Sequence, residues 1–502
     1  MSEPQKLHPI SYLSGLISVI KQNFIIIIIF LVFNIRDFDF TDPMSYIMPS
    51  GFMILIIVLS VYAFLEVYQT RYWIEGDHFI VKKGILTKKR TELNIRRIQS
   101  MDTNQGIIQQ LVKGVELKVT TPSDGIVLDT ISKSQSDMLQ QALREKQREL
   151  KQAQSTDHVE TNEAQSEAAL DTDTIEEKHR IYHMTVKELL LMAMTSGAIG
   201  VAFAVIGPIV GNFTEFIPWD DLFGEFAVLG QSVTLVVIAT LMIGILISYI
   251  VGTLIVIVRN FNYTVDQSGN HLYISYGLFT VKHITVPVDR MQAIVENQSF
   301  LRKLFGYTSM SLIITSDMTS SDVGDDNVED GKVKVLPFIK RDKAYELMKD
   351  LIPSMHFEEP ETGMPWRGYH RHFWIPAVVL FAIAGIVHYY STSWGYAVAG
   401  AITVIMALHA LASVKMSGFN VKDDEMVVRD VTTFGIEQSY FKYNKVLGME
   451  MDSNPFLVRS ELLNFNFVIA KGIMDEDIGL EFVEQSKVEA LEQWYLRGEN
   501  HD

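Results

Sequence analysis

Seven basic residues crowd one short stretch of the chain: Lys82, Lys83, Lys88, Lys89, Arg90, Arg96 and Arg97. Cations at this density suit an anionic surface, and each one near a membrane contributes about 1 kcal/mol to binding acidic lipid. The plainer reading is a solvated face that helps to hold its segment on the cytoplasmic side. Other residues invite covalent or metal chemistry. Ser100 follows Arg97-Ile98-Gln99, but a nucleophilic serine needs a positioned base, and His78 is the only histidine between residues 71 and 150. His370 and His372 sit among Arg367 and Arg371, a poor setting for a bound cation. His409 lies alone in an apolar run, where a hydrogen bond to a neighbouring helix would explain it. With no cysteine in the chain, thiolate chemistry and disulfides are excluded. No acid, base and nucleophile converge, so no catalytic residue, cofactor site or metal site is assigned, and a non-enzymatic protein is expected.

The elements that must position these residues are of two kinds. Apolar residues make up 48% of the chain and are concentrated in long uncharged runs. Hydropathy gives six spans in three pairs, at about residues 20–35 and 47–65, 189–210 and 226–258, and 373–390 and 396–414. The turns inside the pairs carry Arg36 alone. The opposite ends carry Lys6, Lys21, Arg71, Lys178, Arg180, Lys187, Arg259, Arg367, Arg371 and Lys415. By the positive-inside rule, both termini and the three long segments between pairs face the cytoplasm. Residues 1–20 lack a cleavage pattern and are expected to be retained. Gly244, Ser248 and Gly252 form a small-residue ridge suited to close helix packing. A net charge of −17 argues against a nucleic-acid partner. Ionisable groups inside the spans are too scarce to favour the alternative function, a lipid or small-molecule transporter or channel component.

The three long segments repeat one another. Lys83-Gly84-Ile85-Leu86-Thr87 matches Tyr276-Gly277-Leu278-Phe279-Thr280, Arg97-Ile98-Gln99-Ser100 matches Arg290-Met291-Gln292-Ala293, and Gln105 matches Gln298. A third, diverged copy begins near Gly418 and has Asn444-Lys445-Val446-Leu447-Gly448 in place of the Arg-Ile-Gln motif. Alternation in Val115-Glu116-Leu117-Lys118-Val119-Thr120 predicts strand, and Gly84 and Gly277 are expected at turns. Helices are expected to close the copies at 135–150, 341–351 and 486–496, the last on Val488, Leu491 and Tyr495. The resulting domains are 1–70 (first helix pair), 71–150, an acidic linker at 151–180, 181–259 (second pair), 260–355, 356–415 (third pair) and 416–502. Residues 151–177 are too polar to fold, and 316–331 reads as an acidic insertion.

These motifs, following directly on paired membrane segments, resemble the YdbS/YdbT family of bacterial membrane proteins with PH-like domains, in its longer three-domain form. The resemblance covers nearly the whole chain and is weakest in the third copy. It implies a PH-like split β-barrel with a C-terminal helix in each copy, a bacterial plasma membrane location and no established catalytic activity. It further implies a smaller one-domain relative as membrane partner in a hetero-oligomer, and a role in envelope maintenance or antimicrobial tolerance. A PH barrel's phosphate pocket draws on the first hairpin loop, so the basic cluster is expected there, contacting a generic anionic phospholipid.

Overall fold

A computed structural model describes residues 3–7, 11–12, 19, 23, 47–85, 87–98, 100–111, 113–121, 125–157, 179–196, 233–315, 327–329, 331–390, 394–472 and 474–498. The chain divides into two compact units, Met1–Pro287 and Val288–Asp502.

In the first unit, strand β1 (Gln5–Lys6) lies at the edge of a sheet with β2 (Arg71–Glu75), β3 (His78–Lys83) and β4 (Lys89–Asn94), after helix α1 (Ile47–Gln69). A single 3-10 turn, Ile95–Arg97, then leads into β5 (Ser100–Gln105), a short helix α2 (Ile107–Leu111), β6 (Gly114–Thr120), β7 (Gly125–Ser132) and helix α3 (Lys133–Asp157). The alternation in β6 does what period two requires. Val115, Leu117 and Val119 turn inward and meet Phe79 and Leu93 of the first sheet and Leu139 and Leu143 of α3 in one core. After these come β8 (His179–His183), α4 (Val186–Met194), α5 (Val233–Arg259), β9 (Thr264–Ser268), β10 (His271–Tyr276) and β11 (Val281–Pro287). Helix α4 starts with a capping box that satisfies its first turn: Thr185 Oγ accepts from the Glu188 N–H, and Glu188 accepts from the Thr185 N–H.

The second unit repeats the plan. A 3-10 turn at Val288–Arg290 precedes β12 (Met291–Ser299), α6 (Phe300–Leu304), β13 (Tyr307–Ile314), β14 (Val328–Glu329), β15 (Lys332–Lys340) and helix α7 (Arg341–Leu351). Then come β16 (Glu361–Thr362), the helices α8 (Trp374–Tyr390) and α9 (Trp394–Met416), and the strands β17 (Gly418–Lys422), β18 (Glu425–Thr432) and β19 (Gly435–Lys442). The third copy ends with a 3-10 turn at Tyr443–Lys445, β20 (Val446–Asp452), α10 (Pro455–Val458), β21 (Leu462–Lys471), β22 (Met474–Glu484) and α11 (Gln485–Gly498). Its core gathers Phe441, Phe465 and Phe467 under Val488 and Leu491, with Tyr495 packed at the margin. The face expected of the last helix is the buried one.

The sheets do not stop at repeat boundaries. The strand orders are β7-β6-β5-β11-β10-β9-β8 in the first unit and β14-β15-β13-β12-β19-β18-β17-β16 in the second, with β20-β21-β22 separate. The unit boundary therefore falls inside the second repeat, between its third and fourth strands.

Four helical stretches among the described residues are long and apolar enough to cross a membrane: Ser50–Gln69, Met242–Arg259, Trp366–Tyr389 and Trp394–Met416. Of the other two expected spans, 20–35 lies outside the described residues save Asn23, and 189–210 is described only to residue 196, helical to Met194. Two polar segments are more ordered than expected. Helix α3 runs past residue 150 to Asp157, because Lys, Gln and Ala continue it at little cost. The end of the acidic insertion forms β14, which pairs with β15 across Gly331 and buries Val328.

Candidate functional site

The basic cluster sits on the turn between β3 and β4 and on the 3-10 turn beyond it. Gly84 adopts φ 103°, and a Cβ there would lie 2.1 Å from the Thr87 carbonyl oxygen, so this turn requires glycine. All seven cationic residues are exposed. Two are engaged locally. Arg90 pairs with Glu92 (2.6 Å) and lies over the Trp73 ring, and Arg96 pairs with Asp77 (2.8 Å). Lys82, Lys83, Lys88, Lys89 and Arg97 make no ion pair with a described residue. The cluster is therefore not in the first hairpin loop, where the resemblance to PH-like domains had placed it. The β2–β3 turn is Gly76-Asp77, with an anion where a phosphate pocket needs a cation.

Ser100 is buried and its hydroxyl bonds the Asp102 carboxylate (2.7 Å) and the Thr120 hydroxyl (2.7 Å), while His78 belongs to the other sheet. That is a structural role. Ile98 is buried and Arg97 exposed, so the 3-10 turn sorts the motif between core and solvent; Gln99 lies outside the described residues. The matched glutamines share a task that spacing alone did not reveal. Gln105 Nε2 donates to the Gly114 carbonyl and Gln298 Nε2 to the Tyr307 carbonyl, both at 2.9 Å. Each pins its strand to the start of the next.

His409 does not bond a helix. Its Nε2 meets the Thr432 carbonyl of β18 at 3.1 Å, because α9 packs against the end of that strand. His372 stands edge-on to Phe482, and His370 is exposed. Along α5, Ser248 and Gly252 are buried, whereas a Cβ added at Gly244 would meet nothing within 4 Å. Tyr249 on the same helix donates to the Met194 carbonyl of α4 (3.0 Å).

The joints between repeats are the most elaborate polar sites. In the first, β5 pairs with β11 through Gln105↔Val281, Asn104↔Lys282 and Thr103↔His283. Beyond the last of these, Asp102 replaces a backbone acceptor: its carboxylate takes the Thr285 N–H at 2.8 Å. Burial pushes that carboxyl up to about 6, against the lowering effects of Thr285, Ser100 and Lys118. Gln110 of α2 donates to the Leu278 and Phe279 carbonyls, holding the turn of the following repeat.

In the second joint, β12 pairs with β19 from Ala293↔Phe441 to Ser299↔Gly435. The strands approach so closely that a Cβ at Gly435 would lie 2.4 Å from the Gln298 carbonyl oxygen. Buried Glu296 accepts from Arg341 Nε (3.0 Å) and from the Tyr345 hydroxyl, which also meets the Tyr440 hydroxyl at 2.9 Å. Burial and then the Glu296 charge push the Tyr345 hydroxyl far up. A cavity of about 380 Å³ opens beside them, lined by Glu296, Lys303, Arg341, Glu359 and Arg429 among others. Arg341 and Arg429 both pair with Glu359 there (3.0 and 2.8 Å). Its guanidinium groups are thus already matched by carboxylates, which makes it a structural network more than an anion pocket. Among the described residues no group of three or more His, Asp or Glu side chains is arranged to hold a metal.

The sequence pattern of the bacterial PH domain matches residues 24–147 and 208–354, each match closing in the C-terminal helix of its repeat or just past it. The chain belongs to the bacterial PH domain family. This PH-domain chain is also similar to the transmembrane protein YdbT of Bacillus subtilis (strain 168), with 27% identity over 404 residues, 79% of each chain. No solved structure matches it. It is accordingly a YdbT-type membrane protein, and its third repeat follows the strand order of the two matched PH domains.

Proposed function

We propose that the chain is a non-enzymatic membrane scaffold that presents three PH-like domains to protein partners and to anionic lipid. Six spans in three hairpins hold three split barrels, each closed by its C-terminal helix, on the cytoplasmic face of a bacterial plasma membrane. The observation that carries this reading is the pair of sheet joints. Three modules on separate tethers need no shared hydrogen bonds, whereas β5 with β11 joins the first repeat to the second and β12 with β19 joins the second to the third. The uncompensated cations on the β3–β4 turn supply the lipid contact, and the resemblance supplies a smaller one-domain relative as partner and a role in envelope maintenance or antimicrobial tolerance.

Because the chain has no cysteine, orientation is testable with single substitutions. Lys88→Cys, Lys343→Cys and Glu489→Cys should each resist a membrane-impermeant maleimide in intact cells and label after permeabilisation. Labelling of any one in intact cells contradicts the arrangement. For the lipid contact, amide exchange at residues 82–90 of the full chain should slow in phosphatidylglycerol nanodiscs relative to phosphatidylcholine. Replacing Lys88, Lys89 and Arg90 together by Glu should abolish the difference.

A further inference from the structure

The two joints are the same joint used twice. In each, the fourth strand of one repeat pairs antiparallel with the third strand of the next. The registers agree: Asn104 opposite Lys282 corresponds to Asn297 opposite Glu437, each asparagine standing one residue before the matched glutamine. Three repeats joined in this way leave one edge of each kind without a strand neighbour among the described residues. These are β4 of the first repeat and β20 of the third.

An unpaired edge carries a row of free backbone donors and acceptors, and proteins ordinarily cover or charge it. Here the two edges are charged oppositely. Lys89 and Arg90 open β4, with Lys88 just before it and only Glu92, paired with Arg90, against them; Glu450 and Asp452 close β20. Like edges meeting would bring like charges together, so only unlike edges suit each other. Strand β20 also exposes Leu447 (61%) and Met451 (42%), whereas residues 293–296 of β12 are buried beside β19.

We propose that a second copy of this chain occupies these edges, β20 of one chain adding antiparallel to β4 of the next. The proposal rests on the reading of the sheet joints as assembly surfaces. Asp452 lies as far beyond Lys445 as Asn104 lies beyond Arg97, and Lys89 occupies the position of Lys282. The shared register therefore sets Lys89 opposite Asp452 on one face of the sheet, with Arg90 opposite Met451. Such a contact uses different surfaces on its two sides, so it generates a closed ring or an open row. The charge match between the chain's own two ends favours a copy of itself over an unrelated strand.

The test is a charge swap in the purified full-length protein, with assembly followed by mass photometry in nanodiscs and detergent. Lys89→Asp and Asp452→Lys should each weaken association roughly fivefold, and the double variant should recover it. A surface that serves lipid alone would lose anionic-lipid protection in K89D and regain nothing from D452K, which overturns the proposal. So does a chain that stays monomeric at every concentration, or one that assembles only when another protein is added. Cross-linking of N297C with E437C is the control. If it forms in a monomeric chain, the head-to-tail contact fails while the jointed scaffold stands; if it does not form, both fail.

Discussion

Asp102 is an unusual choice for a strand seam, because a carboxylate there must leave water to accept one backbone N–H. Its raised pKa, about 6 against an ordinary 3.8, means that folding favours the protonated form. The stabilisation is complete below about pH 4 and is lost as pH rises through 6, a swing of at most about 3 kcal/mol. Asp102→Asn should therefore raise the first unit's stability clearly more at pH 7.5 than at pH 4.5. Thermal denaturation at the two values checks this, and an equal effect at both would show that the carboxyl does not titrate there. Glu296 is the opposite case, a buried carboxylate with a matched guanidinium. Glu296→Gln should destabilise the second unit by about 2 kcal/mol, short of the usual penalty for breaking a buried pair because Glu359 still holds Arg341; chemical denaturation reads it. Neither residue was legible as a joint residue in the sequence. Asp102 finds Thr285, and Glu296 finds Arg341, through the fold, and no local spacing marks either partner.

At the scale of elements, strands and closing helices were legible because their signals are local. The alternation from Val115 to Thr120 and the Val488, Leu491 and Tyr495 face are periodicities that burial converts directly into structure. Turn glycines were legible for the same reason: φ is 103° at Gly84 and 112° at Gly277. The 3-10 turn at the Arg-Ile-Gln motif was missed, since three residues carry no period. The pairing of one repeat's edge with the next was missed too, because an edge strand that will be covered looks like one that will not. Gly435 is the residue that could have hinted at it, a glycine with no positive φ whose only demand is space beside β12. Gly435→Ala should force the strands apart at a cost of about 1–3 kcal/mol. Amide exchange should then quicken in β12 and β19 while β21 and β22 keep their protection. Uniform quickening would mean that the seam is not a separable element.

For the whole molecule, a repeat of apolar helices and β domains was legible from composition and internal similarity, and membership of the bacterial PH domain family agrees with it. What the chain's order alone concealed is that its domains are not its structural units. The boundary between units at Pro287–Val288 cuts the second repeat, because each half of that repeat is built into a sheet with its neighbour. The most direct test is a disulfide across the first joint. N104C with K282C, in the otherwise cysteine-free full chain, places two thiols on directly opposed strand positions, within the range a disulfide spans. Mild oxidation in native membranes should close this bond readily, while N104C with S268C, whose second thiol sits on β9 two strands beyond β11, stays open. Equal reactivity of the two pairs, or no bond in either, would contradict the shared sheet.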